Sequence, residues 1–261
     1  MKYLTKEWYE LMQKCYRASG YERIADKAYS DEDIAKLHDK KLQETVSSFT
    51  NYTENGGESS FSTQDIAERF ELLYRQRSEE LNHCLPVWLN SEVDRHLIAL
   101  FMLPASAYDR LKKEDGENNA EFDRMNEIAQ KALAVEKTKI PEERSNGFSF
   151  HDGLVVSLKN GGDDIILTVQ IDSLQACDGL EYAKITFEEG NVIQMDENLK
   201  IGFQQLGEQN AEEGNICWLH EELYKTENGY EAHMLLVQNG LAYLTIKCSD
   251  IKIEYADKID E

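Results

Sequence analysis

The feature that most constrains the fold of this chain is a change of sequence pattern at Pro141–Gly147. Before it, apolar residues recur with the period of an α-helix. After it, they alternate in short runs separated by Asn-Gly and Gly-Gly turns. Acidity changes at the same place, because residues 1–140 hold 20 Lys and Arg against 26 Asp and Glu, whereas residues 141–261 hold 8 against 24. The pattern predicts an α+β protein, with a helical domain over residues 1–140 and an acidic antiparallel β domain over residues 147–261.

Capping signals mark the starts of helices in the first part of the chain. Ser30 and Asp33 have the spacing of a capping box, in which each side chain satisfies a main-chain N–H of the other residue. Thr5 is placed to cap a first helix, and Ser62 or Thr63 is placed to cap a third. Each cap precedes an apolar stripe at helical spacing, which predicts helices that pack together in a bundle.

Interruptions between these stripes predict where the helices end. The stretch Ser47–Ser62 is rich in Ser, Thr, Asn and Gly and indicates a flexible connection, and Asp115–Asn119 indicates a polar loop. Leu97–Leu103 is apolar on every side, so we expect a buried helix at the centre of the bundle, ended by Pro104. Six helices are expected in total.

The second part of the chain has nine candidate strands, and Asn-Gly turns join several of them. Strands at this spacing predict a mainly antiparallel β-sandwich or a half-open barrel. The candidate strands are Leu154–Lys159, Ile165–Ile171, Tyr182–Phe187, Val192–Met195, Lys200–Gln205, Ile216–Lys225, Tyr230–Val237, Leu241–Lys247 and Ile251–Tyr255.

The hairpin at Asn228-Gly229 can be read residue by residue. A two-residue turn there pairs Glu227 with Tyr230, and the alternation then gives one apolar core face and one mixed face. The mixed face is either a binding surface or a surface on which a second sheet packs, and both alternatives stay open. Its residues are Trp218, His220, Glu222, Tyr224, His233, Leu235 and Val237, of which Trp218, His220, Tyr224 and His233 are candidate binding residues.

Composition limits the partners of the protein. A net charge of −22 repels nucleic-acid phosphate and anionic lipid, so neither nucleic acid nor a membrane is an expected partner, while a basic protein is a possible one. Glu7 and Glu10 interrupt any apolar leader, and the longest apolar run is far below the ~20 residues of a membrane span. Five Cys without a CxxC pair predict free thiols in a reducing cytoplasm. The oligomeric state is left open.

Residues that could carry chemistry are few. No nucleophile elbow, P-loop, dinucleotide fingerprint or HExxH motif occurs, so neither a cofactor nor a metal is expected. In the predicted register His220 and His233 lie about four residues apart along the strand, roughly 13 Å, which is too far for shared zinc ligation. His151 and Asp152 remain as candidate site residues, with a structural role at the start of the first strand as the alternative.

Several segments carry a resemblance to a known family. They are Tyr3–Gln13 (YLTKEWYELMQ), Asp94–Leu100, Phe150–Asp152, Trp218–His233 and Ile246–Ile251. In these segments the chain resembles an uncharacterised family of bacterial proteins that carry a domain of unknown function. The resemblance implies the two-part architecture and a bacterial cytosolic origin, and it identifies no catalytic residue.

Two function hypotheses follow. The first is a non-catalytic interaction protein, such as an inhibitor, an immunity-type protein or an adaptor, whose acidic β domain attracts a basic protein. The second is a hydrolase of unrecognised type with a site between the two domains, near His151 and Asp152. The absence of a recognisable catalytic motif favours the first.

Overall fold

The computed structural model of the chain describes residues 1–54, 61–79, 85–145, 147–171, 181–207 and 216–257. It confirms the α+β class, with N-terminal helices followed by an antiparallel sheet. The contacts divide the chain into two compact units. The sheet unit comprises Met1–Glu10 and Asp123–Glu261, and the helical unit comprises Leu11–Phe122. The sequence places the division at residues 141–147, whereas these units divide after Glu10 and within a long helix.

Several of the helices begin at a capping residue. Asp33 Oδ2 accepts hydrogen bonds from the main-chain N and the Oγ of Ser30, while Ser30 Oγ accepts from Asp33 N, and Ser62 and Asp65 repeat the arrangement. The elements up to the unit boundary are α1 (Lys6–Met12), a 3₁₀ turn (Arg17–Gly20), β1 (Glu22–Ile24), α2 (Asp31–Glu54), α3 (Thr63–Glu79), α4 (Val87–Glu92), α5 (Arg95–Ala99), β2 (Met102–Pro104) and α6 (Ala105–Lys137).

The predicted loop at Asp115–Asn119 is wrong, because α6 continues through it as one helix of 33 residues. The polar side chains there have folded partners: Asp115 accepts hydrogen bonds from the main-chain N of Ala18 at 2.6 Å and from Arg17 Nε at 2.9 Å. The predicted connection Ser47–Ser62 is also wrong over its first half, since α2 extends to Glu54. Residues 55–60 of that prediction lie outside the described residues.

The apolar run Leu97–Leu103 is buried as predicted except at Phe101, but it is not a continuous helix. Asp94 caps α5, which ends at Ala99, and Phe101 then takes a left-handed φ of 56°. The chain continues as β2, which pairs in parallel with β1. A bulky residue in this conformation cannot continue a right-handed helix, so the run turns at this position.

The helical unit has a small core. In the part of this unit that the structure describes, seven buried residues form the apolar cluster, with Leu89, Leu103 and Leu111 fully buried. Among their described residues, the two long helices α2 and α3 each bury one side chain, Ile34 and Ser78. Most of the apolar stripe of α3 is therefore only half-buried.

The sheet unit contains eight antiparallel strands, numbered β3 to β10 in chain order. Their spatial order is β10-β5-β4-β3-β7-β8-β9-β6, so the sheet is not a closed barrel. Eight of the predicted strands are present, with small differences at their ends. The elements are α7 (Glu142–Ser145), β3 (Leu154–Gly161), β4 (Asp164–Gln170), β5 (Tyr182–Glu188), β6 (Asn191–Met195), α8 (Glu197–Gly207), β7 (Ile216–Thr226), β8 (Gly229–Val237), β9 (Leu241–Cys248) and β10 (Asp250–Ala256).

The ninth predicted strand, Lys200–Gln205, is wrong because this stretch is part of α8. The alternation of Ile201 and Phe203 imitates a strand, but Leu199, fully buried, and Phe203 are spaced by one helical turn against the core. A Cβ added at Gly202 would lie 2.0 Å from Oε1 of Gln238, so any other residue here requires that side chain to move.

The strands β5 and β6 follow one another across a bend, as do β9 and β10, and the pairing between them continues through the bend. The register that pairs Glu188 of β5 with Asp250 of β10 continues as Asn191 of β6 with Lys247 of β9. Gly190 lies at the bend, where a Cβ would approach a main-chain oxygen of β5 to 2.7 Å. The bend turns the sheet around a core of 23 buried residues, which includes Phe187 and Trp218. No helix in the described part of the chain is long and apolar enough to cross a membrane.

Candidate functional site

The hairpin of β7 and β8 carries most of the candidate residues, and its register differs from the predicted one. Thr226 pairs with Gly229, so the turn is Glu227–Asn228, and Glu227 does not pair with Tyr230. Gly229 takes a φ of 143° as the first residue of β8, which moves the turn back along the chain. The pairs from His220 to Thr226 are therefore shifted by two residues, which leaves the assignment of their side chains to the two faces intact.

A β-bulge between Trp218 and His220 changes that assignment for one candidate residue. The bulge rotates Trp218 to the core side, where it is fully buried beside the rings of Phe148 and Phe150 at 5.6 and 5.3 Å. Trp218 Nε1 donates to Glu221 Oε2 at 2.6 Å. The prediction that Trp218 lies on the mixed face is thus wrong, because alternation cannot reveal an extra residue in a strand.

The other side of the hairpin, called here the outer face, carries His220, Glu222, Tyr224 and His233. It is covered by the segment Met1–Glu10 rather than by a second sheet. Leu4 and Trp8 of that segment are buried, and the ring of Trp8 meets the ring of His220 edge-on at 5.0 Å. Lys2 Nζ lies 3.9 Å from the ring centroid of Tyr224.

Glu222 fixes the segment through an unusually full set of hydrogen bonds. Its Oε1 accepts from the main-chain N of Tyr3 and Leu4, and its Oε2 accepts from the main-chain N of Lys2 and from Tyr224 Oη, all at 2.6–2.8 Å. Burial to 1% exposure favours the neutral acid, but these bonds outweigh it and hold the pKa of Glu222 below its ordinary value. A carboxylate offers about four acceptor positions, so Glu222 has none left for a substrate.

His151 and Asp152 lie beside His220 at the end of the outer face. The rings of His151 and His220 stack with their centroids 4.9 Å apart, and His151 Nε2 is 3.6 Å from Asp152 Oδ2. His151 Nδ1 contacts the carbonyl oxygen of Leu219, which requires the proton on Nδ1. Asp152 takes a left-handed φ of 63°, and its main-chain N donates to the carbonyl oxygen of Trp218, so it shapes the entry to β3.

Burial keeps the two outer-face histidines neutral. Burial, together with the neighbouring His151 and against the opposing charge of Asp152, lowers the pKa of His220 to about 4. Burial also lowers the pKa of His233, whose Nε2 lies 3.3 Å from Glu231 Oε2. In the observed register His220 is two residues along the ladder from His233, closer than predicted. Even so, the described residues contain no group of three His, Cys, Asp or Glu arranged to hold a metal.

A cavity of about 350 Å³ opens beside β7. Its lining includes Glu221 and Glu222, Lys137 of α6 and Leu4. Burial raises the pKa of Glu221, against hydrogen bonds from Trp218 and Ser149. Two carboxyl groups with pKa values displaced in opposite directions are typical of acid–base sites. Here the lowered one is saturated by the segment, so the pair is better suited to holding the segment than to catalysis.

The sequence pattern does not reveal the role of Glu221, the role of Glu222 or a second anchor of the segment. In that anchor Lys6 Nζ pairs with Asp196 Oδ2 at 2.6 Å, while the main-chain N of Lys6 donates to Tyr243 Oη at 2.7 Å. Glu221 and Glu222 are adjacent in a predicted strand, so one of the two must face the core side. This pair of acids was the available signal for their roles.

Comparison with known proteins identifies no relative: no family model, no curated protein and no solved structure matches the chain. The resemblance to a bacterial family therefore stays a prediction. The site has to be interpreted from its own geometry.

Proposed function

We propose that the protein is a non-catalytic interaction protein whose sheet unit binds a basic protein. The observation that supports this proposal is the surplus of acid in the sheet unit, which holds 14 Lys and Arg against 29 Asp and Glu. Even if each cation paired with one acid of its own unit, 15 carboxylates would have no such partner. A surplus of this size produces a negative potential that accelerates encounter with a positively charged surface.

One part of this surface, called here the acidic corner, gathers acids from two turns. It comprises Asp163 and Asp164 at the β3–β4 turn and Glu188 and Glu189 at the β5–β6 bend. Asp164 Oδ1 accepts from the main-chain N of Glu189 at 3.0 Å, which holds the two turns together. Lys252 is the cation paired with Glu188, so the corner keeps a net negative charge. Strands fix its position, which suits recognition without rearrangement.

The residues considered for catalysis are engaged in structure. Burial, reinforced by the charge of Asp152, raises the pKa of the Cys217 thiol, so this cysteine is a poor nucleophile. The contact between His151 and Asp152 is the one observation that supports the alternative, a hydrolase near those residues. It is the weaker proposal, because His151 Nδ1 is already bonded to a main-chain oxygen of the strand.

The test begins with recovery of bound proteins from a lysate of the source organism on the tagged full-length protein, at low and high salt. We expect one stoichiometric basic partner, whose association rate then falls steeply with salt in surface plasmon resonance. Neutralising the acidic corner (D163N, D164N, E188Q, E189Q) should slow association by about tenfold, because steering depends on local charge.

The matched control neutralises four exposed acids of α2 and α3 (D39N, E54Q, E68Q, E79Q), which changes the net charge equally. Association should then stay within about twofold of the unmodified protein, because these acids are not part of the acidic corner. A partner that binds at the same rate at both salt concentrations, or the recovery of no stoichiometric partner, would reject the proposal.

A further inference from the structure

The helical unit contains a cavity of about 480 Å³ between α2, α3 and the end of α5. Ile66, Phe70, Leu73 and Tyr74 of α3 form its apolar wall, and all four are only half-buried. The sequence predicts that the α3 stripe belongs to the core, but packing within the unit leaves these side chains beside open space. A volume of a few hundred Å³ with apolar and aromatic lining is typical of sites for small molecules.

The charged residues of this cavity have one sign. Lys41, Arg69 and Arg77 line it, and its described lining includes no carboxylate, although the chain has 50 acidic residues against 28 Lys and Arg. Lys41 Nζ is paired with Glu22 at 2.8 Å. Arg69 and Arg77 have no ion-pair partner among the described residues. Two unpaired guanidinium groups at one apolar cavity, in so acidic a chain, point to an anionic ligand.

Arg77 is held in position at the cavity by an aromatic ring. Its guanidinium carbon lies 4.5 Å from the ring centroid of Phe101. Phe101 itself is fixed, because its carbonyl oxygen accepts from the main-chain N of Glu22 at 2.7 Å while its φ is 56°. A bulky residue in this strained conformation, 42% exposed at the wall of a cavity, is a frequent mark of a binding site.

We propose that this cavity binds a small aromatic carboxylate. The aromatic body of the ligand packs on Phe70, Leu73 and Tyr74, and its carboxylate pairs with the guanidinium of Arg77. Arginine suits this role because its planar N–H groups match a carboxylate in two parallel hydrogen bonds. Arg69 lies eight residues earlier on α3, about 12 Å along the helix axis, so it attracts the anion without contacting the same oxygen atoms. The site lies within the helical unit and does not depend on the proposed function of the sheet unit.

The test uses 2-naphthoate and its neutral isostere 2-naphthamide as probes, titrated into the full-length protein by calorimetry at low salt. We expect the carboxylate to bind at least about tenfold more tightly than the amide, because only the carboxylate forms charge-assisted hydrogen bonds. Arg77→Gln should weaken naphthoate binding by about tenfold and leave the amide unchanged. Arg69→Gln should weaken it by about two- to fivefold, as expected for a charge that acts at a distance.

Arg75→Gln is the matched control. Arg75 is exposed on α3, does not line the cavity, and its loss changes the net charge equally. This variant should bind naphthoate as the unmodified protein does, and circular dichroism should show the same melting curve for all three variants, since these side chains are exposed.

Four results would overturn the proposal. The first is no naphthoate binding at millimolar concentration. The second is equal affinity for naphthoate and naphthamide, which would show an apolar site without anion recognition. The third is equal weakening by Arg75→Gln and Arg77→Gln, which would show general attraction to the helix rather than a site. Binding of an acidic peptide in place of naphthoate would likewise reject a small-molecule site in favour of a protein-docking groove.

Discussion

The sheet unit and the helical unit enclose their apolar side chains to different degrees. Among the described residues, a single cluster of 23 buried residues fills the sheet unit, whereas the corresponding cluster of the helical unit has seven. The helical unit nevertheless contains the long helices α2 and α3 and the first half of α6. The comparison shows that amphipathic helices can be fully formed while much of their apolar surface stays half-covered.

The difference has a physical cause in how the two units are built. A bent sheet presents continuous rows of side chains, and the paired bends at Gly190 and Ser249 turn these rows toward one core. Helices α2 and α3 meet few neighbours within their unit, so the apolar stripe of α3 borders a cavity. A closed core favours rigidity, and a half-covered stripe leaves room for a ligand.

The largest expected effect compares one phenylalanine in each unit. Phe187→Ala should lower the free energy of unfolding by about 3–5 kcal/mol, because the side chain is fully buried and its loss leaves a cavity. Phe70→Ala, at a half-buried position, should cost about 1 kcal/mol. Urea denaturation, with hydrogen exchange to assign the loss to a unit, measures both. Similar losses at the two positions would contradict the comparison.

The second prediction concerns how the sheet unit holds the segment Met1–Glu10. Glu222→Gln should cost about 3 kcal/mol, because the amide offers one N–H₂ group to donors that need an acceptor. The loss should appear as faster hydrogen exchange at residues 2–9 and as exposure of Trp8. Glu227→Gln, in the exposed turn of the same hairpin, should stay within about 0.5 kcal/mol.

This prediction includes a dependence on pH. The pKa of Glu222 is lower in the folded state than its reference value of 4.5, so its stabilising contribution is complete above that value. The contribution is lost as the pH falls through the folded pKa, when the carboxylate is protonated. The Gln variant should lack this part of the acid dependence, and an unchanged acid transition would show that Glu222 does not anchor the segment.

The smallest expected effect has the opposite sign and lies in the helical unit. Gly116 is exposed within α6, and a Cβ added there has no neighbour within 4 Å. Gly116→Ala should therefore raise stability by up to about 1 kcal/mol, through helix propensity alone. Gly229→Ala is the contrasting variant, since its Cβ would lie 2.0 Å from the carbonyl oxygen of Cys248. Thermal melts that show a gain in both variants would contradict this account.

The sequence predicts local features well where a short-range rule applies. The capping box at Ser30 and the cap at Ser62 form as expected, and eight predicted strands are present, because both follow from spacing within a few residues. The prediction fails where distant residues decide. Asp115 remains helical because it binds Arg17 and Ala18, contacts that no local pattern of Asp-Gly-Glu-Asn-Asn reveals.

The candidate site, too, is predictable where a local rule applies and unpredictable where distant residues decide. His220, Tyr224 and His233 share a face as alternation predicts, but the bulge removes Trp218 from it. That the segment Met1–Glu10 covers this face could not be predicted, because Glu222 lies more than two hundred residues from the segment that it binds. The cavity of the helical unit could not be predicted either, since an apolar stripe has the same spacing whether its neighbours cover it or not.

The discontinuous sheet unit has a consequence for synthesis. The segment Met1–Glu10 is translated before the whole helical unit, and Glu222 follows 220 residues after Lys2. At a synthesis rate of about 5–20 residues per second, the surface that buries Leu4 and Trp8 is completed roughly ten to forty seconds after these residues are added to the chain. During that interval the helical unit can fold on the ribosome, while Leu4 and Trp8 are open to chaperones. The sheet unit thus completes its fold after the helical unit, although its segment Met1–Glu10 precedes that unit in the chain.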